Sequence, residues 1–157
     1  MQKAFLKTIQ LHQKIIHKVS RVYRDTREDQ QDLFQEIVYQ LWKSFPGFRG
    51  DSKVSTWIYR IALNTAIASF RKPKIPTDQF ENIPDQLHHN EEPGISENEE
   101  RLYVALRQLN DSEKAIISLF LEDYSYQEIA AITGITENYV GVKMNRIKEK
   151  LKAILNK

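Results

Sequence analysis

Between Phe48 and Asn64 the chain reads Phe-Arg-Gly-Asp-Ser-Lys-Val-Ser-Thr-Trp-Ile-Tyr-Arg-Ile-Ala-Leu-Asn, a polar loop that runs into a helix. Phe48, Trp57 and Tyr59 stand here among Arg49, Lys53 and Arg60. Unpaired bases stack on aromatic rings while cations track the phosphates, so this mixture suits a single nucleic-acid strand. The same residues fit a plainer pattern, in which Trp57 is a core residue of an amphipathic helix. Helical phase separates the two. Trp57 shares a side with Val54, Ile58, Ile61, Ala62 and Thr65, so it braces the loop, and the strand is left to Arg49 through Ser55, Tyr59, Arg60 and Asn64.

A second constellation lies between Ser125 and Leu151. Ser125 and Glu128 form a capping-box pair, Ala130 is small enough for close helix approach, and Gly134 suits a left-handed turn. Val140, Met144, Ile147 and Leu151 then repeat at helical spacing as an inner face. This is the pattern of a helix-turn-helix, whose second helix enters the major groove of DNA. Asn138, Gly141, Val142, Asn145 and Arg146 point outward in that phase. Lys143, Lys148, Lys150 and Lys152 are placed to reach phosphates, which positions a helix without reading sequence. Gly141 is unusual, since a glycine inside a helix costs about 1 kcal/mol relative to alanine. Either its backbone approaches DNA closely or the glycine is a tolerated weak point of the helix, and close approach is the reading favoured by a small margin.

Asp29, Asp32 and Glu36 share a helix, but no Glu-x-x-His pair accompanies them and the histidines (His12, His17, His88, His89) are scattered. Those acids read as a solvated or partner-binding face. No nucleophile-and-base arrangement, paired catalytic carboxylates or phosphate-cradling glycine loop is evident. The expectation is a protein that is not an enzyme and holds no metal or cofactor.

The elements that must position these residues follow from hydrophobic period. Phe5, Ile9, Ile15, Ile16, Val19, Val22 and Tyr23 outline a first helix. Thr26 is placed to cap a second, where Leu33, Phe34, Ile37, Val38, Leu41, Trp42 and Phe45 draw one apolar stripe until Pro46-Gly47 stops it. The third begins at a cap on Ser52 or Ser55 and runs to about Lys72. The expected fold is all-α, with a helical module over residues 1–72, an acidic proline-containing linker over 73–96 and a helix-turn-helix module over 97–157. Charge follows the same division. Residues 1–72 hold 13 Lys and Arg against 6 Asp and Glu, residues 73–100 hold 1 against 8, and residues 101–157 hold 9 against 7. Basic ends around an acidic middle suit a nucleic-acid binder with a connector. The 157 residues include no cysteine, which fits a reducing compartment. No apolar run approaches a signal peptide or a membrane span, so the expected location is the cytoplasm.

With these motifs in order, the chain resembles the extracytoplasmic-function group of bacterial RNA polymerase sigma factors over nearly its whole length. Asp32-Leu33-Phe34-Gln35-Glu36 is similar to the family's polymerase-docking helix. Phe48 to Lys53 followed by Ser55 to Asn64 resembles its promoter-melting segment. Tyr124 to Ala130 and the helix after Thr136 resemble its reader of the upstream element. The resemblance implies core RNA polymerase and promoter DNA as partners, an anti-sigma factor as a further one, and neither a small-molecule substrate nor membrane insertion. It implies that Asp32, Gln35 and Glu36 contact the polymerase clamp. It implies −10 contacts by Arg49, Asp51, Ser52, Lys53, Ser55, Tyr59, Arg60, Asn64 and Thr65. For the −35 element it implies Asn138, Gly141, Val142, Lys143, Asn145, Arg146 and Lys148. Val142 stands where the family often has serine, Gly141 where it often has lysine or arginine, and Ala68 where some members carry a polar reader. Two other readings of the residues stay open, a stand-alone helix-turn-helix regulator and a helical adaptor that binds only protein. A repressor needs neither the Asp32/Gln35/Glu36 face nor the aromatic-basic loop.

Overall fold

The computed structural model describes residues 2–50, 53–68 and 94–156, and all regular structure among them is helical. The chain divides into two units, at Gly94 and Ile95.

The first unit contains α1 (Gln2–Tyr23), α2 (Arg27–Ser44), a 3-10 turn (Phe45–Gly47) and α3 (Val54–Ala68). Thr26 caps α2, its Oγ1 accepting the Asp29 N–H at 3.1 Å. That satisfies one of the backbone donors a helix start leaves unpaired. The three helices pack mutually, with Phe5, Ile9 and Ile16 of α1, Leu33, Ile37 and Leu41 of α2, and Ile58, Ala62 and Ala66 of α3 essentially inaccessible. Each large aliphatic side chain so buried is worth about 1.5–3 kcal/mol. His17 stacks on Phe34 at 4.5 Å inside the α1–α2 seam. The link after α1 is fastened by Gln30, whose Nε2 donates to the Arg24 carbonyl at 3.1 Å.

Two expectations for α3 need correction. The helix already begins at Val54, so Ser55 lies inside its first turn and is not its cap. Its buried side is Ile58, Tyr59, Ala62, Leu63 and Ala66, while Trp57, Ile61 and Thr65 are only half-buried. The phase is turned by about one residue from the expected one, because the alanines at 62 and 66 let α3 lie close against its neighbours. Ser52, the expected continuation of α3 past Ala68 and the connector up to residue 93 lie outside the described residues.

The second unit contains α4 (Glu97–Leu106), α5 (Asp111–Leu121), α6 (Tyr126–Thr133) and α7 (Glu137–Leu155). Reciprocal capping boxes start three of them, at Ser96/Glu99, Asn110/Glu113 and Ser125/Glu128. Gly134 ends α6 at φ +82°, a conformation that costs a side-chain-bearing residue about 1–2 kcal/mol. Thr136 then caps α7 through the Tyr139 N–H at 3.2 Å. Val140, Met144 and Ile147 are fully buried against α5 and α6. Among the described residues no helix is long and apolar enough to cross a membrane, and no group of three metal-ligating side chains occurs.

Candidate nucleic-acid interface

The loop before α3 is held by a relay of rings. Phe5, fully buried on α1, meets Trp42 edge-on at 4.9 Å and Phe45 at 5.3 Å. Phe45 lies 6.2 Å from Trp57, and Trp57 stacks on Phe48 at 4.8 Å with the planes 28° apart. Trp57 therefore braces the loop, and Phe48, whose place the residue pattern leaves open, is the loop's anchor upon it. Beyond Phe48 the chain turns at Gly50, φ +78°, where glycine escapes the Cβ penalty.

Around this brace Arg49, Lys53, Arg60 and Asn64 are exposed. Arg60 and Asn64, four apart, lie on one face of α3, and Lys53 immediately precedes the helix. Ser55 is half-buried, as is Thr65, whose hydroxyl donates to the Ile61 carbonyl at 2.7 Å. Asp51 and Ser52 lie outside the described residues. Tyr59 departs from expectation. It is 2% exposed and belongs to the core, so its ring cannot stack on a base at this surface. Sequence phase set Tyr59 outward because the expected buried side carried Trp57, and two aromatics two positions apart on a helix do not share a face.

On α2, Asp32 is exposed and Gln35 and Glu36 are half-buried. Their spacing forms one stripe on the side away from Leu33 and Ile37, continued by Tyr39, whose ring lies 5.3 Å from Lys43 Nζ.

In the second unit Asn138, Val142, Asn145, Arg146 and Lys148 are exposed along α7. Three lysines of this helix turn toward α5. Lys143 Nζ donates to Ser112 Oγ at 2.6 Å, and Lys150 Nζ meets Glu113 Oε2 at 2.6 Å. Lys148 Nζ lies 5.2 Å over the Phe120 ring. Lys150 thus holds an ion pair, with its side chain still half exposed. Glu113, 4% exposed, uses its other oxygen to accept the Asn110 N–H at 3.0 Å. Burial pushes the Glu113 carboxyl up, but the Lys150 hydrogen bond, the Asn110 N–H and the charges of Lys150 and Lys143 outweigh it. It titrates below its ordinary value of 4.5. No motif signals this pair in the sequence, because its members are far apart along the chain.

Gly141 also departs from expectation. A Cβ built there would point at the Tyr126 ring, 3.7 Å from Cε2, so the position faces α6 and not the outer surface. The glycine is a packing residue of the helix pair, and its expected close approach to DNA is not where its open side lies.

Comparison with known proteins follows the same division. Residues 8–74 match the family described as Sigma-70 region 2, and residues 99–151 match Sigma-70, region 4. The chain is 32% identical to the ECF RNA polymerase sigma-E factor of Escherichia coli K12, over 99% of this chain and 87% of the relative. It is 24% identical to the ECF RNA polymerase sigma factor SigM of Mycobacterium tuberculosis H37Rv, over 97% of this chain and 77% of the relative. In fold it is similar to the sigma factor RpoE of Bartonella quintana, solved in complex with the anti-sigma factor NepR. That match has a TM-score of 0.73 and 19% identity, and covers 98% of each chain. The ring-braced loop and the helix-turn-helix thus fall within the two matched regions, and the chain belongs to the extracytoplasmic-function sigma factors of RNA polymerase.

Proposed function

We propose that this sigma factor joins core RNA polymerase through the Asp32/Gln35/Glu36 stripe of α2 and directs initiation by reading promoter DNA with both of its units. Arg49, Lys53, Arg60 and Asn64, with Asp51 and Ser52 of the loop, take the opened −10 strand. Asn138, Val142, Asn145 and Arg146 face the −35 element. The observation that carries this reading is the presence in one chain of a region 2 match and a region 4 match, each containing an exposed polar and basic surface. The protein acts in the cytoplasm beside the polymerase and catalyses nothing itself. That the structurally similar RpoE was solved with the anti-sigma factor NepR supports an anti-sigma partner here.

Run-off transcription with purified core polymerase tests the function, on DNA from upstream of the protein's own gene. Specific transcripts are expected only when the protein is added, with loss for a Gln35→Ala/Glu36→Ala variant that still binds no less DNA on its own. Failure on every such template, together with no binding to core, would sink the proposal.

A further inference from the structure

The outer surface of α7 has an apolar centre. Val140, Met144 and Ile147 are fully buried and fix the helix's inner direction. At about 100° per residue, Val142 falls about 190° from the middle of that face, almost diametrically opposite. It is 49% exposed. Asn138 and Asn145 flank it on one side, Tyr139 and Arg146 on the other. Lys143, the next residue, is drawn away to Ser112 on α5, so Arg146 is the cation left beside this centre.

A helix that docks with its inner face on the scaffold presents the opposite pole deepest in the major groove. Base edges there carry donors and acceptors, and the one apolar group that stands out from them is the 5-methyl of thymine, where cytosine has only a C–H. An isopropyl group pressed on any polar edge would strip its water and return no hydrogen bond. We propose that Val142 is a specificity-determining residue that seats the methyl group of a thymine near the middle of the −35 element. The inference rests on the reading of α7 as the −35 helix and adds a base identity to it.

Thymine without its methyl group is uracil, which leaves every hydrogen-bonding atom in place and the protein untouched. The test starts from holoenzyme reconstituted with the full chain and core polymerase, and from an upstream element selected by it out of random DNA. Each thymine of that element is then replaced in turn by deoxyuridine and the binding constant measured. One position is expected to lose about fourfold, the worth of one buried methyl group. With Val142→Ala the penalty at that position should shrink toward none. Uracil without effect at every position, or an element lacking thymine, overturns the inference while Arg146→Ala still weakens binding. If Arg146→Ala and all changes in the upstream element are silent as well, the −35 reading of α7 fails and takes the inference with it.

Discussion

At the scale of single residues, position on a helix decides what a substitution reports. Tyr59 is 2% exposed while Arg60 and Asn64 on the same helix are exposed. Tyr59→Ala should therefore cost about 3–5 kcal/mol of stability, as other large-to-small core changes do. Arg60→Ala and Asn64→Ala should leave stability within about 0.5 kcal/mol and still lower promoter opening. Urea denaturation beside an initiation assay checks both, and a Tyr59→Ala protein of unchanged midpoint would contradict its burial. Gly141 makes the opposite case. A methyl group there meets the Tyr126 ring at an ordinary contact distance of 3.7 Å. Gly141→Ala should thus recover most of the helix penalty and stabilise the second unit by about 1 kcal/mol, read as a raised thermal midpoint. A lowered midpoint would mean that the ring cannot accept the contact.

At the scale of elements, α5 and α7 are joined where one carboxylate serves two ends. Glu113 closes the N-terminal box of α5 with one oxygen and pairs Lys150 of α7 with the other. Its native pKa is lowered, so the pairing contributes in full above its ordinary value of 4.5 and is lost as pH falls through the lower native value. Stability of the second unit should decline with acid in that window, and Glu113→Gln should flatten the decline. Equilibrium unfolding between about pH 6 and 3 measures it, and an equal slope in both proteins would remove Glu113 as the cause. Capping was legible in the residues themselves. Thr26 and Ser125 each precede an apolar run and each bonds as expected. The Glu113–Lys150 pair and the phase of α3 were not, for one reason. Both depend on which neighbour a helix meets, and Ile61 or Leu63 serves equally well as an inward residue until α1 and α2 are in place.

At the scale of the molecule, the free energy of opening DNA exceeds what this chain can return. Separating a duplex costs about 1.4 kcal/mol per step, so a bubble of about ten steps costs about 14 kcal/mol. Stacking one or two captured bases returns about 1–3 kcal/mol each. The cations of residues 1–72, 13 against 6 acids, add attraction to the backbone. Duplex and separated strands share that attraction, so little of it favours opening. The difference must come from polymerase, which a docking stripe on α2 would recruit. Permanganate attacks unpaired thymines and reads the bubble directly. Free protein at saturating concentration should leave promoter thymines protected, and adding core enzyme should expose them. Arg60→Ala and Asn64→Ala holoenzymes should still protect the upstream element from nuclease while exposing fewer thymines, because the loss falls after docking. An open bubble formed by the protein alone would overturn the energy comparison and the division of labour drawn from it.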